Sequence, residues 1–265
     1  MSVRVYVTGR VRIESAGRII DEQQFPARQG RALFAYLICH RHRPVTRSEL
    51  AEALWPDTLP GAWETALNAL VSKLRAPLKR IEPAARMTLT SAFGAYLLHV
   101  AEGTWIDREA AAEAIDQAEG LLRENRWRDA WAPSNVAAIT ARQPFLPGEE
   151  GEWINDERVR LHGILLRALD CLSEIWLLNG EPSLALGAAR ESVALEPFRE
   201  AGYRRLMRVH VALGDRAEAL RVYERCRVLL ANELGTDPSP ETQEAYRQVR
   251  GPQRAVRRNA DDLSE

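Results

Sequence analysis

Cysteine is scarce in this sequence and badly placed for chemistry. Cys39, Cys171 and Cys226 are far apart, odd in number and without a CxxC pair. That excludes a disulfide framework and a cysteine-based zinc site. Each lies in an apolar helical setting, where a thiol serves as a small buried hydrophobe, and a reducing, cytoplasmic compartment is expected. No apolar run approaches about 18 residues, so no membrane span is expected, and no signal peptide precedes the first strand. His40 and His42 lack an acidic or cysteine partner at ligand spacing, and His99, His162 and His210 stand alone in sequence. There is no Gly-rich phosphate cradle and no nucleophile–base pair. Catalysis, a cofactor and a metal are therefore not expected.

What is present is enough chain for two domains, with 265 residues of which 46% are hydrophobic, so two cores can be buried. The net charge is near zero but unevenly spread. Residues 1–100 hold 14 Lys/Arg against 8 Asp/Glu, a net of +6, and the remainder holds 22 against 29, a net of −7. A cationic front half is suited to a polyanion, and an acidic back half to something else.

The most informative stretch is Val45 to Leu78, which reads as two helices joined by a Pro/Gly turn. Thr46 is an N-cap and Glu49, three residues on, completes a capping box. Trp55-Pro56 stops the first helix. The second starts near Ala62, and its apolar positions Leu67, Val71, Leu74 and Leu78 form one helical stripe. Pro77 predicts an end or kink near Arg75. The other face carries Thr65, Asn68, Ser72 and Lys73, with Arg75 alongside. A helix packed on one side and bearing hydrogen-bonding groups and a cation on the other fits a DNA major groove; it also fits an ordinary solvated face.

Around this pair, residues 3–13 alternate as strand, turn at Gly9 and strand, and Arg18-Ile19-Ile20 form a short third strand. Leu33, Phe34, Leu37 and Ile38 give a buried helical face, closed by the positive charge of His40 to Arg43. Residues 86–100 read as a hairpin with its tip at Ala92-Phe93-Gly94. From Thr104 onward the texture is helical: Ile106 to Glu124 opened by Asp107 as N-cap, Arg126 to Arg142 broken at Pro133, Glu152 to Leu178, and Glu241 to Val249 as a final cap. Gly180 and Gly214, 34 residues apart, open comparable segments, the spacing of tetratricopeptide repeats. Such repeats stack into a superhelix with a concave groove.

The fold class read from these patterns is mainly α, with an N-terminal α+β winged helix-turn-helix followed by an all-α tetratricopeptide-like helical-repeat domain. The expected domains are 1–101, 102–250 and a disordered tail, 251–265. The front resembles the OmpR/PhoB-type winged helix. The resemblance rests on the leading strands, the helix ending in Arg-x-x-Pro-Val-Thr, Leu54-Trp55, the LxxxxSKLRxxL helix and the Gly/Tyr hairpin. PFLPGEEGEW, LEPFREAGYRRLMRVH and GDRAEALRVYERCRVLLANELGTDPSPET resemble the bacterial transcriptional activator domain. Together they make the chain similar to the Streptomyces antibiotic regulatory protein (SARP) family, over nearly all of Val3 to Val249. With no P-loop after the activator-like segment, it resembles the small stand-alone members.

The resemblance implies a promoter-binding activator of a secondary-metabolite gene cluster that binds direct repeats as a homodimer and recruits RNA polymerase, including its sigma factor. Carried over by position, Asn68, Ser72 and Lys73 are base-edge candidates. Thr65 and Arg75 are phosphate contacts, Arg47 faces phosphate at a helix start, and Arg86 and Ser91 lie on the wing. The partner-binding candidates are Trp153, Arg199, Tyr203, Arg204 and Arg205. Leu70 and Ser72 stand where this class of helix carries basic or polar groups, and Trp63 is unusual at its start. Fewer cations imply modest affinity per protomer. The rival readings are a helical-repeat adaptor whose winged helix has lost DNA affinity, and a ligand-sensing regulator.

Overall fold

The structure is a computed structural model that describes residues 3–81 and 87–251. The chain forms two compact units, Met1–Ala168 and Leu169–Glu265.

The first unit opens with three short antiparallel strands, β1 (Arg4–Tyr6), β2 (Arg12–Ser15) and β3 (Arg18–Ile20). Their alternation puts Val5, Ile13 and Ile20 inside. Helix α1 (Ala27–Cys39) follows. Its expected inner face, Leu33, Phe34, Leu37 and Ile38, is at most 1% exposed. Each of those side chains contributes on the order of 1.5–3 kcal/mol by leaving water. The charge beyond α1 lies at its C-terminus as predicted: His40 Nδ1 is 2.9 Å from Tyr36 O, and Arg41 Nη1 donates to Ile38 O at 3.5 Å. Arg41 also pairs with Glu109, and Arg43 with Glu49.

Then come β4 (Val45–Thr46), α2 (Arg47–Leu54), α3 (Trp63–Leu78), β5 (Thr88–Ala92) and β6 (Ala95–His99). The last two form the hairpin, and β4 pairs with its inner strand. Met87, Leu89, Tyr96 and Leu98 turn inward. Helices α1 to α3 with this hairpin make a winged helix.

Two local predictions are corrected. Thr46 Oγ1 does accept from Glu49 N at 3.2 Å, but Glu49 does not reach back to complete a capping box. Its carboxylate accepts from Tyr36 Oη at 2.8 Å and from the Arg43 guanidinium, a charged partner that wins over a backbone amide. Helix α3 also runs through Pro77 to Leu78. In the last turn a proline forfeits a single bond, and Lys79 N→Arg75 O at 3.1 Å continues the ladder.

The sheet has a fourth strand that alternation did not reveal: β7 (Trp105–Ile106) pairs in parallel with β1. Helix α4 (Asp107–Arg123) starts directly from it. Asp107 is therefore inside the helix and 2% exposed, rather than its N-cap. Its carboxylate accepts from Val7 N and Thr8 N at 3.0–3.1 Å, from Thr8 Oγ1 at 2.6 Å and from Arg108 N at 2.7 Å. Burial pushes the carboxyl above its usual range against the pull of those donors. Helix α5 (Trp127–Ala141) is unbroken at Pro133. Ala130, Ser134, Ala137 and Ala138 are fully buried along it, and packing holds what the proline weakens.

Helix α6 (Glu152–Leu178) crosses the division between the units. The second unit continues with α7 (Pro182–Leu195), α8 (Glu200–Ala212), α9 (Arg216–Leu234) and α10 (Pro240–Arg250). Gly180 and Gly214 each hold φ near +77° in the turn between helices, a conformation glycine enters without steric cost. The 34-residue spacing is visible in the bonding: Glu181 N→Trp176 O and Asp215 N→His210 O are both 2.9 Å. Ala185, Ala189, Tyr203, Leu206, Met207, Val222 and Cys226 close the core, and α10 caps it with Tyr246 stacked on Tyr223 at 4.1 Å. Of the predicted tail, 251–265, Gly251 is the C-cap of α10 and the rest lies outside the described residues.

Candidate nucleic-acid interface

The apolar stripe of α3 turns Leu67, Val71 and Leu74 inward at 0–2% exposure. Helical geometry then leaves Thr65, Asn68, Ser72 and Lys73 exposed together. Arg75 is half-buried and lies against the hairpin. Its Nε donates to Leu89 O at 3.1 Å and its Nη2 to Ser91 Oγ at 3.4 Å. Arg47 sits across from it at the start of α2, with Nη2 donating to Asn68 Oδ1 at 3.1 Å. Tyr96 Oη donates to the same Oδ1 at 3.2 Å. Asn68 is thereby oriented with its carbonyl engaged and its NH2 donors free.

Arg47, Asn68, Arg75, Ser91, Phe93 and Tyr96 line a concavity of about 480 Å3 between α3 and the hairpin. Two guanidiniums face it. The Nε of Arg47 is buried and meets no acceptor among the described residues. Of the eight interface candidates, the structure brings Arg47, Asn68, Arg75 and Ser91 into direct contact. Thr65, Ser72 and Lys73 stand on the adjoining face, and Arg86 lies outside the described residues. Tyr96 and Phe93 belong to the same concavity but were not singled out in the sequence. Tyr96 reads as one more inward hairpin residue, and its bond to Asn68 spans 28 positions, beyond any local pattern.

Helix α2 is held beneath this surface by the Tyr36–Glu49–Arg43 cluster. Hydrogen bonding from Arg43 holds the Glu49 carboxyl down at about 2; Tyr36 and the Thr46 backbone help, against the cost of burial. A depressed carboxylate stabilises the fold above its unfolded value near 4.5, and that contribution disappears as pH falls through about 2. Discounted for partial exposure, the contribution is on the order of 2 kcal/mol. Glu49→Gln is expected to flatten the acid limb of a urea-stability profile between those pH values and to leave the slope near neutrality unchanged.

The five residues expected to meet a partner are all engaged within their own units. Trp153, at the start of α6, donates from Nε1 to Ala53 O at 3.1 Å and packs edge-on to Tyr36 and Phe145 at 4.9 and 5.8 Å. It is thus the cap of α2's C-terminal end, where carbonyls lack helical donors. In the second unit, Arg199 donates to Asp170 at 2.7–2.9 Å and Arg205 pairs with the same carboxylate at 2.6 Å. Tyr203 is a core residue at 6% exposure, and Arg204 Nη1 donates to Thr242 Oγ1 at 2.8 Å. The paired hydrogen bonds with Asp170 raise the Arg199 guanidinium, whereas burial lowers that of Arg205. No helix is long and apolar enough to cross a membrane among the described residues.

Residues 106–250 match the family described as bacterial transcriptional activator domain. The regulatory protein AfsR of Streptomyces coelicolor is 32% identical over 222 residues, which is 83% of this chain and 22% of AfsR. The transcriptional regulator RedD of the same organism is 26% identical over 210 residues, 78% of this chain and 60% of RedD. The chain therefore spans about a fifth of AfsR. In fold, it is similar to Mycobacterium tuberculosis EmbR in complex with a low affinity phosphopeptide. The TM-score is 0.79 at 21% identity, over 93% of this chain and 64% of EmbR. A winged helix leading into this helical array, with a family match over more than half its length, settles its kinship: the chain belongs to the bacterial transcriptional activator domain family, among the SARP-type transcriptional regulators.

Proposed function

We propose that this chain is a sequence-specific DNA-binding transcriptional activator. The observation that carries the reading is the exposed face of α3, flanked by two guanidiniums. Helix α3 lies in the major groove, with Asn68, Ser72 and Lys73 at base edges. Asn68, its carbonyl held by Arg47 and Tyr96, offers NH2 donors and so selects a base acceptor such as guanine O6 or thymine O4. Arg47, Thr65 and Arg75 meet phosphate, and Arg86 and Ser91 extend the contact along the wing. Few cations in all point to two protomers on direct repeats in promoter DNA, because one protomer releases few counterions.

In the second unit, a concavity of about 720 Å3 has an apolar floor of Leu177, Met207 and Val211 and a rim that includes Arg204 and Arg205. It is the surface we assign to RNA polymerase, its sigma factor included. Arg199 and Tyr203 contribute by holding the second unit together, and Trp153 by supporting α2 in the first. Family kinship supports a secondary-metabolite gene cluster as the target and the cytoplasm as the setting.

Gel-shift titration against the DNA upstream of the protein's own coding sequence tests the reading. Lys73→Ala is expected to weaken binding by about 1–3 kcal/mol and to relax preference at one base pair, whereas Arg75→Ala weakens all sequences alike and lowers the salt slope by about one. No retardation at low salt would favour an adaptor that has lost DNA affinity. A ligand that raises the melting temperature and releases DNA would favour a sensor.

A further inference from the structure

The turn that joins β5 to β6 consists of two residues, Phe93 and Gly94, closed by the pair Ala92↔Ala95. Both hold positive φ, +50° and +74°. Asparagine or glycine enters that geometry at least cost, and a phenylalanine there is strained. The Phe93 ring is also fully exposed, at 107%. The side chain therefore suits neither the turn nor the core.

The tip has no charge. Ser91, Ala92, Phe93, Gly94 and Ala95 bring no cation to a phosphate and, beyond Ser91, no polar side chain. An apolar ring suits the interior of a groove, where sugar C–H groups and the edges of stacked bases lie. The tip is also held firmly. Arg47 N donates to Gly94 O at 3.2 Å, β4 pairs Val45 with Tyr96 and Thr46 with Ala95, and Arg75 reaches Ser91. The backbone that carries the ring is thereby tied to α2 and α3, and Phe93 lines the same concavity as Arg47 and Asn68.

We propose that Phe93 is a minor-groove wedge, an inference that rests on the DNA-binding reading above. With α3 in the major groove, the ring enters the adjacent minor groove between two base pairs, unstacks that step and bends the duplex. Pyrimidine–purine steps unstack at least cost. The wedge therefore selects sequence at a position where no side chain hydrogen-bonds to a base.

The test uses the full chain to select duplexes from a randomised pool. 2-Aminopurine is then placed at successive positions of the selected duplex, and end-to-end energy transfer reads the bend. The unaltered chain is expected to brighten one step outside the α3 footprint and to shorten the end-to-end distance. Phe93→Ala should lose both signals and bind about tenfold more weakly, while Phe93→Leu keeps much of each. Phe93→Asn should raise the melting temperature, because asparagine suits the turn, and still lose the bend. Brightening and bending unchanged in Phe93→Ala would overturn the wedge alone. Selection that yields no duplex at low salt would overturn the DNA reading and the wedge with it.

Discussion

Trp153→Ala is expected to destabilise the first unit by about 3–5 kcal/mol, the range for removing a large aromatic from a packed site. The indole fills the space between Tyr36 and Phe145 and supplies the donor for Ala53 O at the end of α2. Its loss leaves a cavity and unsatisfies a helix terminus together. For a unit of this size that corresponds to a fall in melting temperature of roughly 10 °C. Trp153→Phe keeps ring packing and loses only the N–H, so it should cost about 1–2 kcal/mol. Thermal unfolding followed by circular dichroism separates the two variants. A loss below about 1 kcal/mol for Trp153→Ala would mean that the contact is incidental. Because α2 supports the α3 surface, the alanine variant should also bind DNA more weakly with no residue at the duplex changed.

Asp107→Ala is expected to cost a comparable amount, about 3–5 kcal/mol, by a different route. The carboxylate satisfies the backbone N–H groups of Val7, Thr8 and Arg108 and the hydroxyl of Thr8 in an interior site. Alanine leaves those donors buried and unpaired, and each carries a desolvation cost of about 1–3 kcal/mol that a water entering the site would reduce. Asp107→Asn retains one acceptor oxygen and should fall between. Urea unfolding gives the stability change, and amide exchange at Val7 and Thr8 gives its location. Exchange there should accelerate more than at Leu33 or Phe34 in the α1 core. Equal acceleration everywhere would instead indicate a general loss of packing.

Elements with a repeating pattern were legible in the sequence. The apolar stripe of α3 fixed which of its residues face outward, and the 34-residue spacing of Gly180 and Gly214 located the turns of the second unit. Helix α6 has the predicted bounds, Glu152 to Leu178. What was not legible depended on contacts distant in the chain. β7 is two residues long and has no period to detect; it exists because β1 presents a free edge. Asp107 and Trp153 both lie near helix starts, where local rules suggest a cap or a surface role. Their actual partners are about 100 positions away. Pro77 and Pro133 were read as breaks because local propensity counts the lost bond and not the packing that compensates for it. At the interface, the residue types and their shared face could be read from the helix. The Arg47–Asn68–Tyr96 contacts could not, since they join α2, α3 and β6.

The short parallel strand at Trp105–Ile106 bears on any attempt to exchange modules between regulators of this kind. Residues 106–250 carry the family match, and a splice just ahead of them would look natural on an alignment. Such a cut would split β7, leaving Trp105 beside β1 and bringing Ile106 and Asp107 to a foreign sheet. A hybrid joined within α6, near Ala168, would keep β1, β7 and the indole under α2 from one parent, and is the junction that should yield soluble, DNA-competent chimeras.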